Sequence, residues 1–141
     1  MTSFRDLKVF QSAVALMVDV YRASESYPRQ ELYGLVSQMR RATCSVVSHI
    51  AEGQGRLTLG EWRQMLSQAR GSLYELEAQM IASSKLGYLS GDCMAQLEQR
   101  REATSKLLMG LIRYVRNREL ATRNRQRATN EAVPSPRGSS P

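Results

Sequence analysis

No proline occurs between Pro28 and Pro134, and across that span apolar residues recur at steps of three and four. A break-free stretch of this length with helical periodicity and no period-2 pattern admits one fold class, all-α. The first predicted helix runs from about Leu7 to Ser24, with two apolar seams: Leu7, Phe10, Val14, Met17, Tyr21, and Val9, Ala13, Leu16, Val20. One seam docks a helix on a bundle. Two seams fit either an intersubunit contact or a helix wedged between two neighbours of its own bundle.

Pro28 suits a first helical turn, so a second helix is expected over about Arg29 to Glu52. Its apolar line is Leu32, Leu35, Met39, Ala42, Val46 and Ile50, flanked by Glu31, Gln38, Ser45 and Glu52 at seven-residue spacing. Gly53 is expected to end this helix in a left-handed conformation, with Gly55 completing the turn. Thr58 and Glu61 spell a capping box for a third helix, whose heptad line is Trp62, Leu66, Ala69, Leu73, Leu76, Met80. Gly71 in its middle costs about 1 kcal/mol relative to alanine, so a close neighbouring backbone is expected there. Gly87 is placed to stop this helix. A fourth starts at Ser90 or Asp92 and runs through Met94, Leu97, Leu108, Leu111 and Val115, with Arg101 and Thr104 interrupting the line. Short connections make an antiparallel up-down-up-down four-helix bundle over residues 1–117.

From about residue 118 the apolar period stops. Residues 118–141 read as a basic, largely disordered tail; the fourth helix can continue to about Arg127, but the last dozen residues lack the apolar surface to order themselves. The chain carries +7, and 17 of its 20 basic residues are arginine. Arg113, Arg116, Arg118, Arg123, Arg125 and Arg127 fall within fifteen residues, opposed by Glu119 alone. Planar guanidinium groups pair with phosphate through two parallel hydrogen bonds, so this cluster is the candidate nucleic-acid contact. Arg40 and Arg56 are secondary candidates.

Little else in the sequence suggests a reaction. His49 is the single histidine, and His49-x-x-Glu52 reverses the Glu-x-x-His order of di-metal bundles. Gly53-Gln54-Gly55-Arg56 lacks the Gly-Lys-Ser/Thr of a phosphate loop and the strand and third glycine of a dinucleotide loop. Cys44 and Cys93 match no ligand spacing and read as small apolar fillers. The expectation is a protein that is not an enzyme and uses no metal or cofactor. The N-terminus lacks a signal-peptide core and no apolar run is long enough to cross a membrane, which makes the cytoplasm the expected compartment.

Three runs together carry a family pattern: Glu31 to Ala42 (E-x-Y-G-L-x-x-Q-x-R-R-A), Ile50 to Arg56 (I-A-E-G-x-G-R) and Gly71 to Glu77 (G-S-L-x-E-L-E). From roughly Phe4 to Val115 the chain resembles the bacterial four-helix-bundle family of 23S ribosomal RNA intervening-sequence proteins. The resemblance implies an antiparallel bundle assembling as a ring-shaped homopentamer. It extends to the accessory variability determinants of diversity-generating retroelements, which share bundle and pentamer and bind a reverse transcriptase and RNA. No catalytic residues are established for the intervening-sequence branch. Where the family usually has Asn before I-A-E-G, this chain has His49, which can also donate and accept within a polar network.

The resemblance also implies a buried hydrogen-bonded network of Glu31, Gln38, Ser45, His49 and Glu52 facing Ser72 and Glu75, with Arg41 as countercharge. On that expectation, Glu75→Leu alone destabilises strongly. The functional expectation is a homo-oligomeric RNA-binding scaffold, with a reverse transcriptase or ribosomal component as a protein partner. The alternative is a purely protein-binding oligomeric adaptor.

Overall fold

The structure, a computed structural model, describes residues 3–133. Four helices dominate it: α1 (Lys8–Ser24), α2 (Ser37–Gln54), α3 (Leu59–Lys85) and α4 (Gly91–Ala132). There is no strand among the described residues. Each helix packs on the next, and α4 closes against α1. Contacts run in opposite residue order on neighbouring helices: Ser12 to Thr104 and Asp19 to Arg100 across α1 and α4, Ser45 to Ser72 and Met39 to Ser83 across α2 and α3. The bundle is therefore antiparallel, as the short connections require.

The core follows the predicted seams. Val9, Ala13, Leu16 and Val20 of α1 are buried, while Leu7, Phe10, Val14 and Met17 are half-buried and Tyr21 is exposed. Helix α1 lies between α2 and α4, which accounts for its wide apolar face within one chain. On α3, Leu66, Ala69, Leu73, Leu76 and Met80 are buried and Trp62 is half-buried. Arg101 and Thr104 are buried on α4 beside Leu97, Leu108, Ile112 and Val115. Both polar interruptions are satisfied. Thr104 Oγ1 is 2.7 Å from Ser12 Oγ and donates to the Arg100 carbonyl, and Arg101 meets Glu77 at 3.1 Å and also pairs with Glu98.

Helix ends follow local chemistry. Thr58 Oγ1 accepts from the Glu61 N–H at 3.1 Å, and Ser90 Oγ accepts from the Cys93 N–H at 3.1 Å. Gly87, at φ 83°, closes α3 as the left-handed residue of a Schellman motif: its N–H reaches Ser84 O and the Tyr88 N–H reaches Ser83 O.

Four expectations about elements are corrected. The second helix is not continuous from Arg29: a 3-10 turn (Arg29–Glu31) and a π segment (Leu32–Val36) precede α2. The Glu31 carboxylate accepts from the Leu35 N–H at 3.1 Å, substituting for a helical carbonyl, and Gly34 takes a non-helical conformation. A Cβ at Gly34 would come within 2.8 Å of that carboxylate, and Leu32 is left exposed. Gly53 is not left-handed, since Gly87 alone has positive φ among the described residues. It lies buried inside α2, where a Cβ would stand 2.8 Å from Trp62 Cδ1 and 3.2 Å from Met65 Cβ.

Gly71, conversely, has no neighbour for a Cβ within 4 Å. The fourth correction concerns the tail. Helix α4 runs unbroken across the 117/118 boundary to Ala132, because extending an established helix needs no new nucleus and no Gly or Pro intervenes after Gly110. Residues 134–141, the remainder of that tail, lie outside the described residues.

Candidate nucleic-acid interface

Val115 is the last buried residue of α4. Beyond it only Glu119 is appreciably covered, so residues 117–132 form a helical arm about 24 Å long at 1.5 Å per residue. All six clustered arginines are exposed on α4. Their spacing places Arg113, Arg116, Arg123 and Arg127 along one side with Leu120, and Arg118 with Arg125, seven residues apart, along another. Arg118 is held over the Tyr114 ring, 5.8 Å from its centroid, and Arg125 Nε reaches the Ala121 carbonyl at 3.5 Å. Arg123 Nη2 lies 3.9 Å from Glu119.

The arm leaves the bundle beside the α2–α3 turn. Trp62 packs edge-on against Tyr114 at 6.5 Å, and Arg63 binds Glu119. Arg56 is in this turn, partly exposed, 3.6 Å from Glu52 Oε2. Arg40, the other secondary candidate, lies apart from this turn, at the end of α1. Its Nε donates to Ser24 Oγ at 3.0 Å, its Nη2 donates to the Tyr21 carbonyl, and its guanidinium covers the Tyr21 ring at 4.6 Å. It clamps the end of α1 to α2.

The expected polar network divides into parts. Ser72 Oγ donates to Ser45 Oγ at 2.8 Å, and His49 Nδ1 lies 3.0 Å from Ser45 Oγ and 2.7 Å from the Ser45 carbonyl. Those three residues are joined. Glu31 is withdrawn to the start of the π segment, where Tyr88 Oη also reaches it at 3.4 Å. Glu52 is exposed and pairs with Arg56. Gln38, Arg41 and Glu75 are exposed along an open polar groove of about 620 Å³ between α2 and α3. The reason is geometric: Gln38, Arg41, Glu52 and Glu75 each stand one position before a buried residue (Met39, Ala42, Gly53, Leu76), about 100° round the helix from the core-facing line. Within the chain, Glu75→Leu therefore breaks no buried pair.

The buried charge among the described residues is Arg101, one of the two polar residues that interrupt the apolar line of α4. Glu77 on α3 and Glu98 on α4 flank it, and the Arg101 guanidinium holds the Glu98 carboxyl below the usual glutamate range. Among the described residues no group of three His, Cys, Asp or Glu could hold a metal ion, and no helix is long and apolar enough to cross a membrane. Cys44 and Cys93 are both half-buried free thiols.

Fold and surface together define a class: a small antiparallel four-helix bundle bearing a basic helical arm. Residues 5–110 match the family described as 23S rRNA-intervening sequence protein, and the chain belongs to that family. Its fold is shared by a protein of unknown function from the S23 ribosomal protein family of Bacteroides thetaiotaomicron, at TM-score 0.69 and 16% identity over 74% of this chain and 95% of that one. No curated protein matches. The family match ends at residue 110, so all six clustered arginines lie beyond it.

Proposed function

We propose that this chain is a non-enzymatic, homo-oligomeric RNA-binding scaffold whose phosphate contacts come from the α4 arm. The observation that carries the reading is six exposed arginines on a helix that contributes no side chain to the core after Val115. Such a helix has no packing role beyond the bundle, and its charge is what a polyanion requires. Arginines on two sides of one rod suit backbone phosphates and carry no base sequence information. Arg56 adds a charge where the arm leaves.

An exposed apolar face on α3 supports the self-association in this reading. Tyr74 and Ile81 are exposed on the outer side of α3, where Gly71 also opens to solvent. A homopentamer, as the family resemblance suggests, would gather a charge of about +35 from the +7 of each chain. A reverse transcriptase or a ribosomal component is the protein partner consistent with that resemblance.

The test is filter binding of structured RNA by the full chain at several salt concentrations. Affinity should fall steeply, with a log–log slope of about 0.7–0.9 per phosphate contacted. Absence of binding at low salt, or binding indifferent to salt, would sink the RNA reading and favour a protein-binding adaptor. Light scattering should give about five times the 15.9 kDa of one chain.

A further inference from the structure

Arg63 and Glu119 stand 56 positions apart in sequence, yet Arg63 Nε donates to Glu119 Oε2 at 2.8 Å. The other carboxylate oxygen lies 3.9 Å from Arg123 Nη2. Arg116, three residues before Glu119, shares its side of α4 and is exposed. A Cβ at Gly60, in the first turn of α3, would sit 3.7 Å from Glu119 Oε1, so this carboxylate also approaches the positive end of that helix. One carboxylate, its side chain only 21% exposed, thus lies among arginines from two helices at the root of the arm. It is the single acid between Arg113 and Arg127.

We infer that Arg63, Arg116 and Arg123 form a phosphate-binding cleft for the RNA backbone, and that Glu119 is its built-in competitor. To a guanidinium, a carboxylate and a phosphodiester offer the same thing, a pair of anionic oxygens. Glu119 occupies the position that a backbone phosphate would take, and it keeps Arg63 and Arg123 oriented until RNA arrives. Binding exchanges one anion for another: the phosphodiester takes Arg63 and Arg123, and the Glu119 carboxylate turns to water. With Glu119 ionised the three arginines carry a net +2, and without it +3. The inference rests on the arm being the RNA-binding surface, and it adds to that surface a residue of α3.

RNA filter binding with full-length variants over a fourfold rise in salt separates the possibilities. Glu119→Gln keeps the shape and removes the charge. It should bind RNA more tightly at low salt and steepen the log–log slope by about 0.7–0.9, an additional loss of about threefold between 50 and 200 mM salt. Adding Arg63→Ala to Glu119→Gln should return the slope to the wild-type value. If wild type binds with salt dependence but Glu119→Gln leaves the slope unchanged or lowers it, Glu119 is a structural strap and the cleft is overturned while the RNA reading stands. If neither protein binds RNA at low salt, both readings fall.

Discussion

Two glycines inside helices of the bundle have opposite physical roles. At Gly53 the Trp62 ring and Met65 Cβ already fill the space a methyl would need, at 2.8 and 3.2 Å. Neither can withdraw freely, because Trp62 is packed against Tyr114 as well. Gly53→Ala should therefore destabilise by about 1–3 kcal/mol, the usual cost of overpacking. At Gly71 a methyl meets nothing within 4 Å, and the position is exposed within a 27-residue helix. Gly71→Ala should stabilise by about 0.5–1 kcal/mol, since glycine has more chain entropy to lose. Urea unfolding of both variants checks the pair. A destabilised Gly71→Ala would show that another chain packs against that position.

The elements are held in register by charge at one level of the bundle, where Arg101 of α4 is buried beside Glu77 of α3 and Glu98 one turn before it. The hydrogen bond from Arg101 is the main cause of the lowered Glu98 pKa, opposed by partial burial. A carboxyl with a depressed folded pKa contributes stability that is fully present above its unfolded value, near 4.5, and is lost as pH falls through the folded value. Wild type should therefore lose stability below about pH 4.5 partly through this group. Glu98→Gln should be less stable at pH 7, by about 0.5–1 kcal/mol because Glu98 is 37% exposed, with a flatter acid limb. Thermal melts from pH 7 to pH 3 read both effects, and parallel acid limbs would contradict the assignment.

The same helices show what the sequence makes legible. Apolar periodicity and the caps at Thr58, Gly87 and Ser90 are local, so the four helices and most of their buried residues can be read directly. The pairing of Arg101 with Glu77 and of Arg63 with Glu119 depends on which helix faces which, and no spacing reveals it. The break at Gly34 is hidden for a related reason. Glu31 is an ordinary helix former whose side chain happens to take a backbone partner. Helicity beyond about residue 127 is obscured because an exposed extension has no apolar period, although it grows from a formed helix at little cost.

At the scale of the whole molecule, the bundle and the arm are separable in what they contribute. Among the described residues, every buried one lies at or before Val115. Among the described residues, deleting 118–141 removes no core contact and one ion pair to the bundle, Arg63 with Glu119, which is partly exposed and worth under about 1 kcal/mol. The bundle should keep its melting midpoint to within about 4 °C. RNA binding should respond quite differently. The deletion removes Arg118, Arg123, Arg125 and Arg127, and four lost phosphate contacts should lower the salt slope by about 3. Arg56, Arg63, Arg113 and Arg116 remain, so weak, shallowly salt-dependent binding should persist. If the deletion leaves RNA binding intact while abolishing capture of a protein partner, the arm is a protein-docking element.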